Sequence, residues 1–310
     1  MKVCFIGACG HWAQALNYLK TRKGIEFCGF AEGSPEEKME ASIDPQIPFF
    51  KDYQAMLDEV KPDLAVVSPV FGLTGRVIIE CAKRKINVFA EKPVAASFKE
   101  LEKVEQAIEE SGIRFCAMHY LRYEPAFYQA ARMVKEGKIG DIRMITAQKS
   151  YKYGVRPAWY SDPSLYCGTI AWVGIHALDW IAQFSGKKFV SVTAKTWGKN
   201  PEMAALCQFQ MEDGIIASAN IDYYRPETAL THGDDRVRCV GTDGVIEVCE
   251  GKISLINKEG NFTYCPREAP ELLAEFLDGG EGISVSEILH ITKAAIAAQE
   301  SAQKEKEEYI

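Results

Sequence analysis

Over roughly its first 120 residues the chain alternates short, nearly unbroken apolar runs with stretches whose apolar residues recur at helical spacing. The runs Lys2–Ile6, Ile25–Ala31, Asp63–Ser68, Asn87–Ala90 and Ile113–Met118 read as strands. The intervening His11–Arg22, Lys51–Val60, Leu73–Arg84 and Phe98–Ser111 read as helices. A strand that is apolar on both of its faces needs cover on both. Strands of that kind separated by helices predict a doubly wound parallel sheet, an α/β fold.

After about residue 122 the pattern changes. A helix near Pro125–Glu136 is followed by strands at Arg143–Tyr151, Val190–Thr196, Ala204–Met211, Ile215–Asp222, Val237–Val240, Val245–Cys249 and Ile253–Ile256. Turn signals at Met211–Ile215 and Gly241–Gly244 join neighbours as hairpins, so this sheet is expected to be large and mostly antiparallel. A helical stretch, Ile170–Phe184, interrupts it, and helices at Pro270–Leu277 and Ser286–Ser301 close the chain. Ser284–Glu287 has the S-x-x-E form of a capping box, and Lys304–Tyr309 reads as a frayed helix end. Two domains follow, 1–121 for a dinucleotide and 122–310 for substrate and self-association, with a C-terminal helix able to pack back on the first.

Of 310 residues 47% are hydrophobic, so a large core is affordable, and the net charge of -7 argues against nucleic acid or anionic membrane as a partner. The opening MKVCFIGACG runs straight into a glycine turn and reads as a first strand rather than a secretory signal. No apolar run approaches the length of about 18 residues that suggests a membrane span. The ten cysteines form no C-x-x-C and the five histidines no metal-ligand spacing. Reduced thiols, a cytoplasmic location and no metal are the expectations.

The turn Gly7-Ala8-Cys9-Gly10-His11-Trp12-Ala13 stands between the first strand and the first helix, where a dinucleotide fold brings backbone against a pyrophosphate. Read as G-x-G-x-x-G, it has Cys9 and Trp12 at glycine positions. Read as Gly7-x-x-Gly10-x-x-Ala13, it keeps small residues where the backbone must come close, and this register is preferred. Glu32 ends the second strand, at the place of an acid that binds adenosine ribose hydroxyls. A carboxylate there repels a 2′-phosphate, which favours NAD over NADP. Ser68-Pro69 ends the Asp63–Ser68 strand over the same crevice. Glu91-Lys92-Pro93 ends Asn87–Ala90, so Lys92 can face the cofactor's reactive end.

Strand–EKP after a glycine turn and a strand-ending acid resembles the Gfo/Idh/MocA oxidoreductases. Arg122-Tyr123-Glu124-Pro125 is similar to that family's R-[FY]-x-P segment, Gly168–Asp179 to its G-x-x-x-D-x-G-x-H-x-x-D helix, and Gly241–Gly244 to its G-T-x-G turn. The resemblance spans essentially the whole chain. It implies an N-terminal Rossmann domain, a C-terminal α/β domain with a mostly antiparallel sheet, NAD or NADP as hydride carrier, sugar-like or cyclitol substrates, and homo-oligomers packed through the C-terminal sheet. It also implies His176 as acid/base and Lys92 as the group that binds the substrate oxygen. An imidazole titrating near about 6.5 suits the first role.

Departures from the pattern matter. Trp172 stands where the family often has Asp, and Tyr120, after His119, where it has a less bulky polar residue. His176 and Asp179, three apart, can share a helix face. In Tyr151–Tyr160 aromatics alternate with cations, and Tyr153 and Arg156 are the expected substrate contacts with Tyr120, Trp172, Lys92 and His176. The loop Thr231–Asp235 could add His232. The favoured function is NAD-dependent hydride transfer at a sugar, cyclitol or sugar-acid hydroxyl. Two alternatives stand beside it: a redox-neutral lyase or glycosidase working through a transient ketone, and a non-catalytic NAD-binding sensor.

Overall fold

The structure is a computed structural model that describes residues 1–280 and 282–310. The chain divides into two compact units. The first holds Met1–Met118 with Ser164–Cys167 and Leu272–Thr292, and the second holds His119–Pro163, Gly168–Glu271 and Lys293–Ile310. The division after Met118 comes slightly before the expected 121/122 boundary. Two later segments also belong to the first unit, because their apolar side chains pack there: Phe276, for example, stacks on Phe89 at 5.8 Å.

The first unit is a six-stranded parallel sheet. Its strands are β1 (Lys2–Ile6), β2 (Glu26–Ala31), β3 (Phe49–Phe50), β4 (Leu64–Val67), β5 (Asn87–Ala90) and β6 (Phe115–Ala117), in the order β3-β2-β1-β4-β5-β6. Helices α1 (Trp12–Thr21), α2 (Tyr53–Val60), α3 (Thr74–Lys83) and α4 (Phe98–Ser111) connect them. β1 and β4 are buried along almost their whole length, as continuous apolar strands covered on both faces must be. α4 shows how local chemistry sets the helix ends. The Ser97 hydroxyl accepts the Glu100 amide, Leu101, Val104 and Ile108 form the buried stripe, and Gly112 leaves the helix at φ 66°. The order reverses direction between β1 and β4, so the ligand crevice of such a sheet lies beyond the carboxyl ends of these two strands. β3, a two-residue edge strand, was not expected. Two phenylalanines are too short a run to give a period.

The rest of the chain forms α5 (Pro125–Lys135), β7 (Ile142–Tyr151), the short α6 (Pro163–Tyr166), α7 (Ile175–Ser185), β8 (Phe189–Trp197), β9 (Ala204–Met211), β10 (Ile216–Asp222), β11 (Gly233–Gly241), β12 (Gly244–Cys249), β13 (Lys252–Asn257), β14 (Gly260–Tyr264), α8 (Leu272–Asp278), α9 (Val285–Lys304) and β15 (Glu308–Tyr309). Nine strands make one sheet, β14-β13-β12-β11-β7-β10-β9-β8-β15, antiparallel throughout except where β7 meets β10. Both expected hairpins form, β9–β10 through Asp213 and Gly214 in left-handed conformation, and β11–β12. The Ser284 hydroxyl accepts the Glu287 amide at 3.2 Å, the cap that starts α9.

Four expectations need correction. Glu308–Tyr309 is a strand on β8, not a frayed helix end. Gly260–Tyr264 adds an edge strand that its polar, glycine-led sequence concealed. Gly233–Asp235 is not loop but the start of β11, paired with Lys149–Tyr151. Finally, Pro163–Ser185 contains an 18-residue stretch apolar enough by composition to cross a membrane, but 89% of that stretch is buried inside the protein. Its middle, Ile170–Gly174, is a π-helical turn that continues as α7.

Candidate active site

In the first unit, Gly7 takes φ 78° and Gly10 φ 70°, conformations a side chain disfavours. A Cβ on Gly7 would also lie 2.6 Å from the Pro69 Cα, so only glycine lets the β1 turn close on the end of β4. The Gly7 amide donates to the Ala31 carbonyl at 2.8 Å and the Cys9 amide to the Ser68 carbonyl at 2.8 Å. The amides of Ala8, Gly10, Trp12 and Ala13 have no protein acceptor among the described residues. Open N–H groups around a glycine turn at a helix N-terminus are the donor set that a pyrophosphate needs. Gly7 and Gly10, the two glycines of the preferred register, are the positions where this turn takes a positive φ. Cys9, at the position of the second glycine, offers no charge to repel phosphate, since burial and then the nearby Glu37 and Glu91 push its thiol well up.

Glu91 is fully buried. It accepts the His11 amide at 2.6 Å, and both its oxygens lie 3.0 Å from His11 Nδ1, which must therefore carry a proton. Burial alone would raise the Glu91 carboxyl, but His11 and then Lys92 hold it below its ordinary range. The end of β5 is thus stapled to the start of α1, and the Lys92 ammonium, 1% exposed, sits 3.8 Å from the same carboxylate. Glu32 accepts the Met39 amide. Sequence reasoning overlooked Glu37, which accepts the Gly33 amide at 3.2 Å and the Val70 amide at 3.1 Å at the same edge of the sheet. Burial pushes it up to about 7.

In the second unit, His176 lies on α7 and is 1% exposed. Asp179, one turn on, is committed elsewhere. Its carboxylate takes Arg122 Nη2 at 2.6 Å and Arg122 Nε at 3.1 Å, with His119 Nδ1 at 3.5 Å. Burial would raise Asp179, yet Arg122 and His119 keep it below the usual carboxylate range. Trp180 Nε1 donates to the Leu121 carbonyl at 3.3 Å, and Gln183 Nε2 to the Arg122 carbonyl at 3.0 Å. One helix face thus grips residues 119–122. The two motif fragments, R-Y-E-P and G-x-H-x-x-D, turn out to be the halves of one buried ion pair, which spacing alone could not reveal.

A second buried pair was missed outright. Lys149 continues the inward register of β7 after Ile145 and Ala147, is 0% exposed, and donates to Asp235. Its ammonium lies 4.2 Å from the Tyr151 ring centroid and 5.2 Å from that of Trp180. Burial draws it down to about 8. The signal was a lysine at an inward position of an alternating strand.

Residues 1–119 match the profile of an oxidoreductase family with an NAD-binding Rossmann fold, and residues 127–247 match the profile of the Gfo/Idh/MocA C-terminal domain. The chain belongs to the Gfo/Idh/MocA oxidoreductase family. A Thermotoga maritima structure provisionally called an oxidoreductase is 38% identical with a TM-score of 0.93, and each chain covers 100% of the other. Among the Gfo/Idh/MocA relatives, the scyllo-inositol 2-dehydrogenase (NADP(+)) of Bacillus subtilis is 24% identical over 166 residues, 52% of this chain and 46% of that protein. A levoglucosan dehydrogenase solved with NADH and levoglucosan shares the fold, with a TM-score of 0.83 at 16% identity over 100% of this chain and 99% of that one.

Proposed function

We propose that this protein is a dehydrogenase, preferring NAD, that oxidises a secondary hydroxyl of a sugar, cyclitol or sugar acid, or reduces the corresponding ketone. The observation that carries this reading is the staple between Glu91 and His11. It fixes the EKP lysine at the carboxyl end of β5 and the pyrophosphate turn with one buried carboxylate. A bound nicotinamide dinucleotide supplies the hydride acceptor. The open amides of Ala8, Gly10, Trp12 and Ala13 hold its pyrophosphate, and Glu32 binds the adenosine ribose and disfavours a 2′-phosphate. Lys92 donates to the substrate oxygen and stabilises the charge that develops there, while His176 takes the hydroxyl proton. The names of the levoglucosan and inositol relatives support the substrate class.

Trp172, buried where the family often carries a carboxylate, supports a second reading. With no acid there, transient oxidation could serve an elimination whose hydride later returns. We also propose that the protein self-associates through the open face of the nine-stranded sheet, where Leu206 and Ile216 are 61% and 55% exposed. Several of the ten cysteines are buried among apolar side chains, which fits a reducing compartment. A panel of sugars, cyclitols and sugar acids incubated with NAD tests the function. Net NADH formation supports the dehydrogenase, substrate conversion without net NADH supports the redox-neutral course, and no conversion of any compound while NADH binds supports a sensor.

A further inference from the structure

The loops that end β7, end β10 and begin β11 meet at one end of the nine-stranded sheet. The Lys152 amide donates to the His232 carbonyl at 3.0 Å and the Arg225 amide to the Tyr151 carbonyl at 3.2 Å. α7 begins at this end. A Cβ on Gly174 would lie 2.6 Å from the Ile221 side chain, one residue from the end of β10. His176, two residues past Gly174, therefore belongs to the same end of the sheet as the loop that carries Arg156.

Arg156 sits here in an unusual setting. Its guanidinium carbon lies 5.4 Å from the Tyr160 ring centroid, 5.8 Å from that of Tyr223 and 5.9 Å from that of Tyr153. Tyr153 and Tyr223 meet edge to face at 5.3 Å, closing two walls of the box. Rings hold a cation in place but do not neutralise it. Arg22, Arg84, Arg122 and Arg236 each hold a carboxylate at 2.6–2.8 Å, whereas among the described residues Arg156 has no acidic partner. It donates from Nη2 to the Lys152 carbonyl at 3.3 Å, and its buried Nε has no hydrogen-bond partner among the described residues.

The nearby acids are already engaged. Asp234 is taken by Arg236 at 2.8 Å and faces Arg225 at 3.6 Å, and Asp235 is taken by Lys149. Lys152 directs its ammonium to the Glu227 and Ala229 carbonyls at 2.9 and 2.6 Å and brings no counter-charge. His232 registers the resulting surplus. After burial, the charges of Arg156, Lys149 and Lys152 are what hold its imidazole below the ordinary range.

We infer that the substrate carries a carboxylate, as an aldonate or uronate does, and that Arg156 in its tyrosine box is the residue that binds it. The inference rests on the dehydrogenase reading for the identity of the site, and it narrows the substrate class to sugar acids. A planar guanidinium presents parallel N–H groups that match two carboxylate oxygens, with Nε as one of them, and the tyrosine faces can cover the sugar carbons. A neutral sugar leaves the charge unpaired and the buried donor unsatisfied.

The test is calorimetric titration of the full chain, cofactor-free and NADH-loaded, with D-gluconate, D-galactonate, D-glucuronate and D-galacturonate. Each acid is compared with a neutral counterpart, the methyl glycoside or the alditol. At least one acid should bind about tenfold or more tighter than its counterpart, with a preference that shrinks as salt is added. Arg156→Gln should abolish that preference and Arg156→Lys should keep part of it, since the charge stays but the fork is lost. Circular dichroism and NADH affinity report whether each variant is folded. Equal binding of acids and neutral partners, failure of all four acids to bind, or a preference that survives in folded Arg156→Gln would each overturn the inference. If NADH fails to bind while an acid still binds through Arg156, the oxidoreductase reading falls and the carboxylate site stands.

Discussion

Lys92 and His176 stand out in the sequence because each is embedded in a motif tied to a fold position, a strand end for one and a helix face for the other. Replacing Lys92 by Ala should lower turnover about a hundredfold or more, since a donor to the reacting oxygen is lost, while NADH affinity changes only a few-fold. Steady-state kinetics beside a fluorescence titration separates the two, and a variant of undiminished kcat removes Lys92 from the chemistry. The partners of these residues were not legible. Glu91 reads as one more cofactor contact until its carboxylate is seen on His11, eighty residues away. Glu37 lies in an irregular segment with no periodicity to place it. Burial raises its folded pKa from 4.5 to about 7, so between these values the folded chain holds a proton that the unfolded chain has lost. Its contribution to stability is therefore complete at low pH and is lost as pH rises through 7. Glu37→Gln should be more stable than the parent by about 1–2 kcal/mol at pH 8, the shift being discounted for partial exposure, and nearly equal to it at pH 5. Thermal melts at the two pH values check this, and an equal difference at both would show that the carboxyl titrates normally.

Elements were far easier to read than their contacts. Continuous burial of β1 and β4 and the alternation of β9 both follow from side-chain period, so strand type and sheet type came out together. The strands that escaped notice, β3, β14 and β15, are short or polar edges, where little apolar surface is buried and sequence carries little pattern. Lys149 was missed for a related reason. Within β7 it obeys the inward alternation, and only its partner on β11 explains how a charge can stand there. The pair predicts an asymmetric outcome. Asp235→Asn leaves an ammonium buried at 0% exposure and should cost about 3–5 kcal/mol, whereas Lys149→Met leaves a carboxylate 24% exposed and should cost less. The first penalty should ease between pH 7 and 10. The folded pKa of Lys149, already near 8, lies below its unfolded value of 10.5, so stability rises with pH across that window. Denaturant melts of both variants at two pH values would show it. A pH-independent penalty for Asp235→Asn contradicts the assignment of a buried, charged lysine.

At the level of the whole molecule, two units carry different kinds of sequence information. The first follows a strand order that fixes the crevice at β1 and β4 and therefore fixes the cofactor site. The second is a broad sheet whose end loops follow no side-chain period, which is why sequence alone named no substrate. The open sheet face should make the protein a dimer or larger. Light scattering after gel filtration measures this, and Leu206→Lys with Ile216→Lys should shift the mass toward the monomer, whereas a parent that is already monomeric at micromolar concentration rules out association through this face. The glycine turn beside Glu32 is the proposed cofactor site. Its most direct test is titration of the purified protein with NADH and with NADPH, following nicotinamide fluorescence. Saturable binding of NADH, with NADPH about tenfold weaker or worse and the gap narrowed in Glu32→Ala, is the predicted result. Saturation by neither dinucleotide would contradict the account at its foundation.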